Sequence, residues 1–209
     1  MKNLIAKAAI AGIVATTGVT TGILEPAQAT TFGLGGSLAL EESFTYEEEG
    51  IELIVSGVSE SGPRDVVRSG VGLGVYGGFG DNFEVDGKGP NEGLKFLFDH
   101  TVSLVSATFT KVGFNDDFTL FVDGNFIGSA DIPGGNFFDT DFGTFKFPAA
   151  DFNEGTSFIF AALDKNDDFK LKRIKVEKVV DVPEPTVMIG LGVVAAGLLA
   201  QKRSRKETA

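Results

Sequence analysis

The chain has 209 residues, of which about 150 lie between two apolar ends, the usual size of one domain with one core. Its 43% apolar content, with 20 Phe, argues against disorder, and the absence of cysteine excludes disulfides, zinc–thiolate clusters and a cysteine nucleophile. Between Thr30 and Asp181, 26 acidic side chains face 12 basic ones, a net charge of −14 that repels nucleic acid and attracts cations, so no nucleic-acid partner is expected.

Residues 1–29 begin with Lys2 and Lys7, run through the apolar stretch from Ala8 to Leu24, and close with Glu25-Pro26-Ala27-Gln28-Ala29. That is the layout of a secretory signal peptide, a short helix with small side chains at Ala27 and Ala29 that fit the narrow subsites of signal peptidase. Pro26 ends the helix just upstream, and cleavage is expected before Thr30. The competing reading is an uncleaved N-terminal membrane anchor.

Residues 30–181 read as β throughout. Ile51, Leu53 and Val55 alternate with Glu52, Ile54 and Ser56; Val102, Leu104, Ala107 and Phe109, and then Phe118, Leu120 and Val122, follow the same period. No stretch sustains a helical period, which parallel βαβ units would need. The pattern predicts an all-β domain, an antiparallel β-sandwich of jelly-roll-like form. Asp123-Gly124 between two apolar runs predicts a hairpin. Phe169 and Leu171 are odd-numbered whereas Ile174 and Val176 are even, which predicts a β-bulge around Lys172 and Arg173.

Two acidic features stand out. Asp81, Glu84, Asp86 and Glu92 lie within 12 residues, and the string Asn115-Asp116-Asp117-Phe118 is repeated as Asn166-Asp167-Asp168-Phe169 before a second strand. Hard oxygen ligands at this density suit calcium, so Asp81, Glu84, Asp86, Glu92, Asp116, Asp117, Asp167 and Asp168 are the candidate ligands, although the first loop fails the EF-hand spacing at Phe83, Val85 and Asp86. The simpler reading gives both strings to turns, where Asn and Asp cap backbone N–H groups, and leaves the loop carboxylates solvated; no cofactor is required. The repeated strings could meet at one end of a sandwich.

Catalysis is not expected. His100, the single histidine, sits in Phe98-Asp99-His100-Thr101, which reads as a polar turn between two strands. The glycine-rich run from Gly70 to Gly80 lacks the Gly-Lys-Ser ending of a phosphate loop and reads as a β-edge or a loop. Twenty Phe in alternating register look like core, and the absence of Trp weakens a glycan-binding reading. An exposed row of Phe would revive binding, and converging carboxylates in a cleft would revive catalysis.

At the other end, residues 186–200 carry no charge and are followed by Gln201-Lys202-Arg203-Ser204-Arg205-Lys206. Fifteen helical residues span roughly 22 Å, short of the roughly 30 Å hydrocarbon core, so this single transmembrane helix is a weak anchor. Both apolar runs carry their basic residues on the outer flank, which keeps both ends in the cytoplasm and translocates everything between them. Val182, Pro183, Glu184 and Pro185, then the apolar span, then the basic tail of Lys202, Arg203, Arg205 and Lys206 together resemble the PEP-CTERM sorting signal of Gram-negative bacteria and cyanobacteria. A looser likeness runs from Gly72 to Phe96, which resembles the opening of sandwich domains in other exosortase-dependent surface proteins.

The resemblance implies residues 182–209 as a sorting segment, processed near Pro183-Glu184-Pro185 by a membrane-embedded exosortase. It implies export across the inner membrane, transient anchoring in that membrane, and delivery to the cell surface or an extracellular exopolysaccharide matrix. The expected product is a non-catalytic structural or binding β domain. The alternatives are a secreted polysaccharide-active enzyme and a glycan-binding module.

Overall fold

A computed structural model describes residues 28–180 apart from Asp139. The leader through Ala27, and Val182, Pro183, Glu184, Pro185, Lys202, Arg203, Arg205 and Lys206 of the expected sorting segment, lie outside the described residues. Within them the chain is all-β, with every strand pair antiparallel and one 3-10 turn at Asp151–Asn153.

The first half is built from tight hairpins. After β1 (Ala29–Gly33) and the short β2 (Ala39–Glu41), strands β3 (Ser43–Glu48), β4 (Ile51–Ser59), β5 (Gly62–Ser69) and β6 (Gly72–Tyr76) follow one another with two residues between each pair. Glu49 and Gly50 both take positive φ (52° and 73°), the primed-turn geometry whose twist matches the flanking strands. The glycine-rich run therefore supplies β6, a strand buried between β5 and β13, whereas the loop reading holds for Gly77–Gly80 and for the tight turn at Gly70-Val71.

After the two-residue β7 (Val85–Asp86) comes β8 (Glu92–Val112), a strand of 21 residues that organises the molecule. Its first part, Glu92–Phe98, pairs with β4 on one side and β12 (Glu154–Ala162) on the other. Its second part, from Val102 to Val112, pairs with β13 (Asp168–Lys178) and β11 (Asp141–Lys146). Asp99, His100 and Thr101 thus form a corner where one continuous strand exchanges partners, which corrects the expected turn. They look like a turn in the sequence because they face solvent, yet their backbone stays extended, and Asp99 Oδ1 accepts the Glu52 N–H at 2.9 Å.

Asp123 and Gly124 close the hairpin between β9 (Asp117–Val122) and β10 (Asn125–Asp131) with φ of 47° and 81°. The register of β13 against β8 slips between Leu171 and Arg173, so Lys172 is the extra residue of the expected bulge. A second slip, between Lys175 and Val176, leaves Val105 unpaired opposite them and explains why the buried phase of β8 passes from Leu104 to Ala107.

The sheet closes over one phenylalanine-rich core. Phe32, Phe96, Phe109, Phe158, Phe160 and Phe169 are fully buried. Rings from the two parts of β8 interlock with the others: Phe98 meets Phe32 edge-on at 5.8 Å and Phe109 stacks on Phe118 at 5.0 Å. Burying each such ring contributes about 1.5–3 kcal/mol, with aromatic pairing adding roughly 0.5–1.5 kcal/mol.

Candidate functional site: an acidic cleft beside a glycine-rich loop

The loop after β6 turns back on itself because Asp81 caps it. Its Oδ2 accepts the N–H of Gly77 at 3.0 Å and of Phe83 at 3.2 Å, and its own N–H donates to the Gly78 carbonyl. This fold of the loop opens a cleft of about 330 Å³ lined by Asp81, Asp86 and Glu92, with Arg64 and Lys88 among them and Phe79 at the rim. Glu92 is the first residue of β8 and is held between Ser59 of β4 and Ala162 of β12. Gly77 allows the close approach, since a Cβ there would stand 2.6 Å from Glu92 Oε1 and 3.5 Å from Asp81 Oδ1.

The electrostatics follow from crowding and burial. Burial, reinforced by the charges of Asp86 and Asp81 and only partly offset by Arg64, pushes the Glu92 carboxyl up to about 7. Asp86 is also raised, first by burial, although its Oδ1 accepts the Lys88 N–H at 2.9 Å. Glu84 does not line this cleft: its Oε2 accepts from Asn82 Nδ2 at 2.7 Å. Beneath the loop, Lys170 Nζ donates to the Phe83 carbonyl, and burial depresses its pKa against the pull of Glu84.

The two Asn-Asp-Asp strings meet, as their placement before strands suggested. The Asp168 N–H donates to Asp116 Oδ1 and the Asp117 N–H to Asp167 Oδ1, both at 3.4 Å, a reciprocal exchange between the two turns. Asp116 Oδ2 also accepts the Gly113 N–H, and Asp167 Oδ2 the Asp164 N–H at 3.3 Å. Burial, then the neighbouring charges of Asp117 and Asp164, raise Asp167 to about 6 although both N–H bonds oppose the shift. Asp117 is raised by burial and by Asp131 and Asp164. The Asp116 and Asp167 carboxylates serve as acceptors for turn backbone.

Among the described residues, no three His, Asp or Glu side chains converge to hold a metal ion. His100 Nδ1 lies 2.7 Å from Asp99 Oδ1 at the surface corner of β8 and does not line the cleft. Of the signal-cleavage residues, Ala29 opens β1 opposite Glu177, and the buried Thr30 donates its hydroxyl to Glu49 Oε2 at 2.7 Å.

Sequence reading missed Arg64, Lys88 and Phe79. Phe79, fully exposed between Gly78 and Gly80, was the most legible of the three, because a lone ring inside a glycine run has no strand to bury it. The expectation that the Phe residues are core holds for only part of them: Phe79, Phe83, Phe114, Phe126, Phe137, Phe138, Phe142 and Phe152 are exposed. Phe114, Phe137 and Phe138 sit on loops that neighbour Phe142 of β11, since Gly135 packs on Gly113 and Phe114, and Gly134 on the Phe142 carbonyl.

Fold and cleft together define an antiparallel all-β protein with a carboxylate-lined, aromatic-rimmed hollow. No protein-family model matches the chain, and no curated protein matches it.

Proposed function

We propose that this chain is an exported surface or matrix protein whose leader is removed before Thr30 and whose 182–209 segment is a PEP-CTERM signal read by an exosortase. The protein left behind is a non-catalytic structural or binding domain, a jelly-roll-like β-sandwich delivered to the cell surface or its exopolysaccharide. The observation that carries this reading is where the fold begins and ends. β1 starts at Ala29, the last residue of the expected leader, so the cut before Thr30 removes only its first residue; β13 stops at Lys178, shortly before Pro183, and Ala29 pairs directly with Glu177. Both processing segments therefore join the sheet at adjacent residues, and Thr30, the expected new first residue, is already anchored to Glu49.

Intact-mass analysis of surface-extracted protein tests the proposal. The expected species begins at Thr30 and ends near Pro183-Glu184-Pro185; a species retaining Lys202 to Ala209 in exosortase-positive cells overturns it. A second reading, a polysaccharide hydrolase, is favoured by one observation: Glu92, raised to about 7, shares a cleft with Asp81 and Asp86. Release of reducing ends from the host polysaccharide, abolished by Glu92→Gln, would support that reading, and no release would dismiss it.

A further inference from the structure

The outer face of the sheet formed by β1, β13, the second part of β8 and β11 is basic, whereas the domain as a whole is strongly acidic. Its residues follow from the register. Thr31, Lys175, Ser106 and Lys146 form one cross-strand row, and Gly33, Arg173, Thr108 and Thr144 form the next. Phe32, Ile174 and Ala107, which alternate with them, point into the core. Strands lie about 4.8 Å apart, so Lys146 and Lys175 stand about 10 Å from each other across β8. The bulge adds a further cation, since Lys172 and Arg173 line one hollow of about 330 Å³ with Thr108, Thr144 and Phe142. Among the described residues none of these four cations forms an ion pair. The acidic side chains come at the two ends of the face, Glu177 opposite Ala29 and Asp141 beside Phe142.

Aromatic rings edge this face. Phe142 is exposed on β11, and a second hollow, of about 240 Å³, runs on from it past Lys111 to Thr140. The two hollows share Thr110, Phe142 and Lys172, so the loop before β11 borders the face. That loop holds its rings outward: Asn136 Oδ1 accepts the N–H groups of Phe138 and Thr140 at 2.9 and 3.3 Å, and the Asn136 N–H donates to the Val112 carbonyl at 3.2 Å. Phe137 and Phe138 are 79% and 78% exposed and meet edge-on at 5.5 Å. Clustered apolar surface of this kind marks a contact with something other than water.

Charge and rings together select the partner. A sugar acid or an inorganic anion would engage the cations and leave Phe137 and Phe138 bare. A second copy meeting this face with its own would set four cations against four. An anionic bilayer satisfies both sets, offering phosphates to lysine and arginine and a headgroup boundary to aromatic rings. The acidic surface that gives the domain its net charge of −14 is repelled by the same bilayer, which turns the basic face toward it. Ala29 and Lys178, from which the expected membrane segments depart, are end residues of this same sheet.

We propose that this face docks on a bilayer containing anionic lipid. Lys146, Lys172, Arg173 and Lys175 lie at the lipid phosphates, and Phe137, Phe138 and Phe142 at the boundary between headgroups and acyl chains. The proposal rests on the export reading only in that the chain's own ends bring the bilayer within reach.

The chain has no cysteine, so a single introduced one can carry a bimane label. The full chain, labelled at Phe142→Cys on the face or at Thr45→Cys on the exposed side of β3, is mixed with nanodiscs that contain a doxyl-quencher lipid. Co-elution with discs of phosphatidylcholine alone reports on the chain ends, whereas additional quenching with phosphatidylglycerol reports on the face, so the two readings fail separately. Quenching of the Phe142→Cys label should rise about twofold or more with about one-third phosphatidylglycerol and be lost at about 0.5 M salt, while the Thr45→Cys label stays unchanged. In the Phe142→Cys background, Arg173→Glu and Lys175→Glu should each lower the ratio of docked to undocked protein by about fivefold or more. Phe137→Ser combined with Phe138→Ser should lower it too, with the melting temperature unchanged because both rings lie outside the core. The proposal is overturned if the two labels respond alike, or if the charge-reversed or serine variants dock like the parent. It is also overturned if alginate or self-association shields the Phe142→Cys label and anionic lipid does not.

Discussion

Replacing Glu92 with Gln should stabilise the protein at alkaline pH and leave it unchanged in acid. The carboxyl takes up its proton near 7 in the fold and near 4.5 in an unfolded chain. Below 4.5 it is protonated in both states and contributes no difference. Between those values the folded state holds a proton that the unfolded state has lost, so stability falls as pH rises, and above 7 the whole penalty is present. At about 1.36 kcal/mol per tenfold change in proton affinity the ceiling is about 3 kcal/mol, and solvent entering the open side of the cleft reduces it to roughly 1–2 kcal/mol. The replacement amide keeps the shape and carries no charge at any pH. Thermal unfolding followed by far-UV circular dichroism should show a melting temperature about 2–8 °C above the parent at pH 8 and no difference at pH 4. The Asp167 titration is common to both proteins and drops out of the comparison. An equal gain at both pH values, or a loss at pH 8, would refute the reasoning.

The parent protein itself should be most stable in mild acid. Glu92 and Asp167 both bind protons more tightly when folded, at about 7 and about 6, so their contribution is complete below their unfolded values and is lost as pH rises through 6–7; melts across that range check the sign. Two glycine substitutions should differ sharply in cost. Gly87→Ala drives a Cβ to 2.1 Å from the Asp164 carbonyl oxygen and should cost about 1–3 kcal/mol in a denaturant titration. Gly77→Ala meets only the flexible end of Glu92 at close range, so melting should hardly change. Asp116→Ala removes an acceptor from the backbone N–H groups of Gly113 and Asp168 and should cost about 1–3 kcal/mol by the same titration, with or without calcium.

Local chemistry was legible where a residue's own neighbours decide its geometry. Asp123-Gly124 announces its hairpin because both positions must adopt positive φ, and the odd-to-even shift from Leu171 to Ile174 reveals the Lys172 bulge because side chains alternate strictly along a strand. The meeting of the two Asn-Asp-Asp strings could be suspected from their repetition, but the exchange of N–H bonds between them depends on β9 and β13 being brought together by intervening strands. The corner at His100 was hidden because exposed polar residues look alike in a turn and in a strand that changes partners. The cleft was half visible. Its carboxylates are close in sequence, whereas Arg64 reaches it from β5, and no local pattern marks an arginine that will lose its partner on folding.

The pairing of β1 with β13 has a mechanical consequence. Ala29 stands opposite Glu177 and Gly33 opposite Arg173, so the chain enters and leaves the fold at the same end of one antiparallel ladder. Tension between the two chain ends would load the ladder bonds one after another, from Ala29 inward, as in opening a zip. A load spread along the strand axis would strain them all together. The first strand is therefore the compliant element, releasing at low force and drawing its own buried Phe32 out of the core. Once either end is cut free no such load can be transmitted, and the same ladder becomes a closed seam.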